Sequence, residues 1–291
     1  MGLSAVELLV DARAEVGEGP VWDERTGRLY WVDILGSLVH VTDPATGADR
    51  TLPVGQPVGA IVLRERGGLA LALRDGVALL DTDDGTPVIA APLAPRPGLR
   101  MNDAKADPAG RLWCGAMESD GAAGEGSLLR LEPGGELEVV IDGLAIPNGI
   151  DWSLDGRTMY FAESIERTVR AYPFDPDTGT LGRPEVLVSL DPEDGMPDGL
   201  TVDAEGAIWL AIWGGWSVRR YGTDGQELDR IDLPVEQVTC PAFGGPSFDQ
   251  LFVTTAHEGF AAGAMAGQPE AGGLFRARPG AVGRAPARFA G

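Results

Sequence analysis

Hydrophobic and polar positions along the chain fall into one unit that recurs six times. Each unit is a polar turn, a short apolar strand, a tight turn of the Asp-x-x-Gly type and a second apolar or aromatic strand. The copies are GEGPVWDERTGRLYWVD (17–33), VGAIVLRERGGLALALRDG (58–76), MNDAKADPAGRLWCGAM (101–117), IPNGIDWSLDGRTMYFAES (146–164), MPDGLTVDAEGAIWLAIW (196–213) and VTCPAFGGPSFDQLFVTTA (238–256). Their turns lie 41–50 residues apart, the spacing of propeller blades rather than of helical solenoids. SLVHVTDPATG (37–47) and TVRAYPFDPDTGTL (168–181) read as outer strands closed by turns. No stretch keeps a helical period, and 259–273 reads as a small-residue loop.

A lone blade leaves both faces of its sheet bare, so the ring must close. VELLVD (6–11) precedes the first copy and GGLFRARPG (272–280) follows the last. The reading is that residues 6–11 supply the outer strand of the final blade and remove a free edge. The predicted fold is therefore all-β: a six-bladed β-propeller of four-stranded antiparallel blades, closed by an N-terminal strand, with residues 1–291 as a single domain.

Composition narrows the chemistry. The formal charge is −21, which argues against nucleic acid and anionic membrane as partners. No window is apolar enough for a membrane span, and no secretion signal is read, so the expected location is cytoplasmic. Cys114 and Cys240 lie far apart with no C-x-x-C spacing, as suits a reducing compartment. His40 and His257 are the only histidines, too few for a histidine-rich zinc site. Any metal site must rest mostly on oxygen ligands. Lys105 is the sole lysine.

In a propeller the inner strands converge on one channel, so repeat-equivalent positions become neighbours. Five residues before the turn after each inner strand stand Glu18, Gly59, Asn102, Asn148, Asp198 and Cys240. Four of the six carry carboxylate or amide oxygens before an otherwise apolar strand. Taken singly, Asn148-Gly149 and Asp198-Gly199 read as simple turns. Taken at one phase, two carboxylates and two amides facing one axis point to a bound cation, because Glu18 and Asp198 would otherwise repel.

The motifs GEGPVWD, RMNDAKADPAGRLWCGAM, PNGIDWS and MPDGLTVDAEGAIWLA resemble the senescence-marker-protein/gluconolactonase (regucalcin-like) family along nearly the whole chain. WGG (213–215) and CPAFGGPSFDQLFVTTA point to its bacterial sugar-lactonase branch. The resemblance implies one divalent metal ion held by Glu18, Asn148 and Asp198. It implies substrate contacts from Arg100 and Asn102, and an acidic contact after the G-x-M run, where Asp120 is the better positional match and Glu118 the competitor. The implied partner is a small-molecule sugar lactone.

A lactone is an ester, and its hydrolysis needs a polarised carbonyl, an activated water and a home for the developing charge. No Gly-x-Ser-x-Gly elbow is present. The expected route is metal-assisted, with Asp198 as general base; the alternative is a metal-binding or scaffold propeller without activity. Asp103 is expected to assist, or to hold Lys105 or a turn. Trp22, Trp31, Trp113, Trp152, Trp209 and Cys114 read as core, while Trp213, Trp216, Cys240 and His257 are left open between packing and pocket roles.

Overall fold

The computed structural model describes residues 6–82, 85–94, 98–119 and 124–291. Six antiparallel sheets succeed one another along the chain, each numbered from its inner strand outwards. The inner strands are Gly17–Asp23, Val58–Leu63, Leu99–Ala106, Pro147–Trp152, Met196–Val202 and Val238–Gly244. Five blades are built from consecutive strands. The sixth takes its outermost strand, Glu7–Val10, from the start of the chain, where it pairs with Leu274–Ala277. The predicted closure is therefore present.

Burial follows the order of strands within a blade. Pro147–Trp152 is buried throughout, whereas the outer strand Ala48–Pro53 is mostly exposed. The apolar faces meet in six clusters among the described residues, one between each pair of neighbouring blades. The closing interface sets Trp22 and Trp31 of the first blade against Phe252 and Leu274 of the sixth. The five tryptophans assigned to the core and Cys114 are buried.

The Asp-x-x-Gly turn has a clear physical role. Asp107 accepts main-chain N–H groups of Ala109 and Arg111 with one oxygen, and Trp113 Nε1 with the other at 3.0 Å. Asp203 does the same for Glu205, Ala207 and Trp209. A fully buried carboxylate thus fixes the turn and orients the tryptophan that fills the blade interface.

Three details differ from expectation. SLVHVTDPATG and TVRAYPFDPDTGTL form third strands, Leu38–Asp43 and Thr168–Asp175 (the latter with a two-residue return), rather than outer ones; the outer strands are Ala48–Pro53 and Glu185–Ser189. The loop 259–273 contains a short helix, Ala262–Gly267. Asn148-Gly149 and Asp198-Gly199 are not turns but lie inside inner strands. No helix among the described residues is long and apolar enough to cross a membrane.

All six inner strands carry one extra residue at the same phase, breaking their register with the second strand. Such a bulge bends the strand and re-aims side chains. It falls at the positions singled out above, so these residues sit within the inner strands rather than before them. The bulges also bring inner strands close together. A Cβ on Gly199 would lie 2.4 Å from Cys240 Sγ, and one on Gly149 would lie 2.5 Å from the Asp198 carbonyl oxygen. Glycine is required there by the approach of a neighbouring backbone.

The segment after Ala277 runs across the opposite end of the channel. Val282 O accepts from Ala204 N, Gly283 N donates to Phe248 O, and Arg284 reaches Asp151. Arg288 reaches Asp23, Phe289 N donates to Leu63 O, and Ala290 N donates to Gly110 O. It thereby touches all six blades.

Candidate functional site

At one end of the channel lies a pocket of about 340 Å³, near the lower end of the roughly 300–1,000 Å³ usual for ligand sites. That size suits a single sugar ring. Glu18, Arg100, Asn102, Asn148 and Asp198 all line it, together with Glu258. Apolar walls come from Val16, Ile34, Met117, Ile146, Met196 and Trp213.

Glu18, Asn148 and Asp198 are 6%, 8% and 4% exposed. The Asn148 amide is oriented by its surroundings. Its Nδ2 donates to Ser164 Oγ at 3.2 Å, and Ser164 Oγ donates to Pro197 O at 2.8 Å. That leaves Asn148 Oδ1 without a partner, and Asp198 Oδ1 is equally unpartnered. Glu18 Oε2 accepts from Gly19 N at 2.8 Å, and the Glu18 and Asp198 carboxyl groups face each other at hydrogen-bonding range. Burial pushes the Glu18 carboxyl well above the usual carboxylate range, and the charges of Asp198 and Asp103 add to it. Burial and the Asp103 charge push Asp198 up in the same way, against opposing hydrogen bonds from Glu18 and Asn148. Two buried acids facing unpartnered oxygens form an unsatisfied group unless a cation or protons complete it.

This donor set fits a hard divalent cation: two carboxylates and an amide oxygen, all on rigid inner strands. Among the described residues no group of three or more His, Cys, Asp or Glu side chains forms a metal cluster. The amide oxygen is what makes up the third donor here.

Arg100 and Asn102 behave as a unit. Arg100 Nη1 donates to Asn102 Oδ1 at 2.8 Å and to Met101 O at 3.0 Å, while Asn102 Nδ2 donates to Pro147 O at 3.0 Å. Both ends of the Asn102 amide are therefore engaged, and its clearest role is to hold Arg100 in the pocket wall. Arg100 Nε is buried and unpartnered.

Of the remaining candidates, Asp120 lies outside the described residues. Glu118 does not line the pocket, and its carboxylate turns towards Gly98. Its neighbour Ser119 lines the pocket and donates through Oγ to Gly98 O at 2.6 Å. Trp213 is a pocket wall, whereas Trp216 is an exposed surface residue. His257 turns its Nε2 to Arg13 O at 3.2 Å and does not line the pocket. Its neighbour Glu258 does, and no repeat or motif had marked it. Cys240 packs against Gly199 and lines a second cavity on the far side of the bulges.

Lys105, Asp151, Thr201 and Arg284 line that second cavity, as does Asp103. Lys105 Nζ donates to Asp151 Oδ2 at 3.2 Å and to Leu200 O at 3.0 Å. It therefore pairs with Asp151 rather than Asp103. Asp103 Oδ1 accepts from Ala104 N at 2.7 Å, and burial pushes Asp103 up to about 6 although Lys105 opposes it.

Comparisons with known proteins agree with this architecture. Residues 16–257 match the model of the SMP-30/Gluconolactonase/LRE-like region. The chain is 43% identical over 285 residues to pentonolactonase XacC of Haloferax volcanii, covering 96% of each chain. It is 34% identical over 294 residues to regucalcin of Xenopus laevis, covering 98% of each. Among solved structures, a calcium-binding protein, regucalcin, from Agrobacterium tumefaciens superposes with a TM-score of 0.94 at 32% identity, covering 99% of each chain. With its repeat phase, its closure and its channel-mouth residues in place, the chain belongs to the SMP-30/gluconolactonase/LRE-like family.

Proposed function

We propose that the chain hydrolyses a sugar lactone to the aldonic acid, with one divalent cation held by Glu18, Asn148 and Asp198. The observation that carries this reading is the pair of inward, unpartnered oxygens, Asn148 Oδ1 and Asp198 Oδ1, beside a second buried carboxylate. When bound, such a cation supplies Lewis-acid polarisation of the lactone carbonyl and lowers the pKa of a coordinated water. Calcium, magnesium, manganese, ferrous iron and zinc all accept this donor set. The relative described as a calcium-binding protein favours calcium.

The chain's own residues do the rest. Asp198 is the general base: it takes a proton from the attacking water as the water oxygen bonds to the lactone carbon. The ring C–O bond then breaks, and the departing ring oxygen takes up the proton that Asp198 holds, which returns the base to its starting state. Asp198 must be ionised for this, and a neighbouring positive charge reverses the upward push on its carboxyl. Arg100, held by Asn102, donates to the substrate or to the oxyanion. Asp120, which family resemblance alone brings in, completes the proposed substrate contacts. The apolar wall from Ile34 to Trp213 limits competing water. A polyhydroxylated aldonolactone fits the pocket size and the pentonolactonase relative.

The test is hydrolysis of aldonolactones by metal-loaded and chelator-treated protein. Turnover that disappears with chelator and returns with the metal supports the proposal. A second reading, favoured by the relatives named regucalcin, is calcium binding without hydrolysis. Calorimetric calcium binding with no turnover on any aldonolactone would establish that reading instead.

A further inference from the structure

Glu258 stands outside the repeat phase, just after the second strand of the sixth blade, Gln250–Thr255. The main chain of Glu258 and of the two residues before it is held by three contacts. Ala256 pairs with Val16, His257 N donates to Glu15 O at 3.1 Å, and Gln237 Nε2 donates to Glu258 O at 2.9 Å. These contacts hold Glu258 on the wall of the pocket that also contains Arg100 and Asp198. Burial lowers the pKa of Arg100, and Glu258 is foremost among the carboxylates that oppose this, ahead of Glu18 and Asp198.

A carboxylate and a guanidinium on one pocket wall form a complementary reader. One accepts hydrogen bonds, the other only donates them, and a hydroxyl engages both at once. The other pocket carboxylates, Glu18 and Asp198, face each other deep in the channel. Glu118 points away towards Gly98. Among the described residues, Glu258 is the acid at this mouth that is placed to meet a hydroxyl rather than the cation.

We infer that Glu258 is a specificity-determining contact, accepting hydrogen bonds from the hydroxyls of a polyhydroxylated ligand while Arg100 donates to them. This rests on the lactonase reading for its substrate and its kinetic test, but not for its binding test. In calcium-loaded protein, Glu258→Gln should raise KM for glucono-1,5-lactone about 10- to 100-fold with kcat within about threefold. On δ-valerolactone, which has no hydroxyls, kcat/KM should stay within about twofold. Glu258→Ala should behave like Glu258→Gln. An unchanged KM on the polyhydroxylated lactone, or an equal loss on both lactones, overturns the inference.

Calorimetry with xylitol decides the contact apart from catalysis. Wild-type protein should bind it, and Glu258→Gln at least about tenfold more weakly. Equal binding by both proteins, or none by the wild type, overturns the inference. Glu258-dependent binding by a wild type that hydrolyses no lactone keeps the contact and overturns the lactonase reading.

Discussion

The two ends of the channel each bury an aspartate, and they treat it in opposite ways. Asp151, at the far end, is surrounded by donors: Lys105 Nζ at 3.2 Å, Arg284 Nη2 at 2.8 Å, and the N–H groups of Trp152 and Val202. Burial alone would raise its pKa, but Lys105, Arg284 and the main-chain N–H groups of Trp152 and Val202 together hold Asp151 below the usual range. Asp198, at the pocket end, has an acid for its neighbour and an unpartnered oxygen, and it is pushed up. The repeat places both carboxylates on inner strands. What differs is whether the chain supplies the counter-charge itself. Asp151 is a finished structural joint; Asp198 is left incomplete for something from outside.

The largest expected effect tests that difference directly. Asp198→Asn should lower kcat/KM by about 10²–10⁴-fold, the range for a lost general base, and calorimetry should show greatly weakened cation binding. In chelator-treated protein the same substitution should raise stability by about 1–3 kcal/mol, because an unpaired buried charge is gone. Lys105→Met should do the reverse. It should cost about 2–4 kcal/mol in denaturant unfolding, by uncovering part of Asp151, while cation affinity stays within about twofold. Equal signs for the two metal-free stability changes would remove the contrast.

A smaller effect, about 1–3 kcal/mol of overpacking, is expected from Gly199→Ala, since the new methyl meets Cys240 at both Sγ and Cα. Moving the Asp198 strand in this way should weaken cation binding as well. Chemical denaturation and a calcium titration measure the two.

The smallest effect is in pH. Glu18, Asp198 and Asp103 have raised folded pKa values, so their folded forms bind protons more readily than the unfolded chain. Their contribution to stability is full below the unfolded values near 4 and is lost as pH rises through the folded ones, about 6 for Asp103. Metal-free protein should therefore melt about 2 °C or more higher at pH 5 than at pH 7. Asp198→Asn should reduce that gain, and saturating calcium should abolish it. Asp151 titrates in the opposite sense, losing its contribution as pH falls below the unfolded value. Scanning calorimetry with and without chelator decides it.

The ring and much of the pocket were legible in the sequence because both are written in the repeat. Asp107 and Asp203 each fix a turn and a tryptophan within six residues, so the device is visible locally. Repeat phase marks Glu18, Asn102, Asn148 and Asp198; only the family resemblance separates Asn102 from the other three. What stayed hidden depends on contacts distant in the chain. Arg284 meets Asp151 across 133 residues, so no local pattern reveals the pairing. Asn148-Gly149 looks like a turn because the neighbouring strand that demands the glycine lies some 50 residues on. Glu258 follows a strand rather than occupying one, so it has no phase to betray it. Proximity to the pocket-facing end of Gln250–Thr255 was the only available signal.

The segment that crosses the far end changes how the ring can come apart. Toroids of this kind are held mainly by nearest neighbours, which lets one sector loosen while the others stay shut. Here residues 282–290 tie sectors around the whole ring to one segment, from Ala204 and Asp151 to Asp23 and Gly110. Losing any sector releases the tie on the rest, so the whole toroid is pushed towards all-or-none opening. Because this tie is synthesised after every sector, the growing chain must hold an unlocked ring until it emerges.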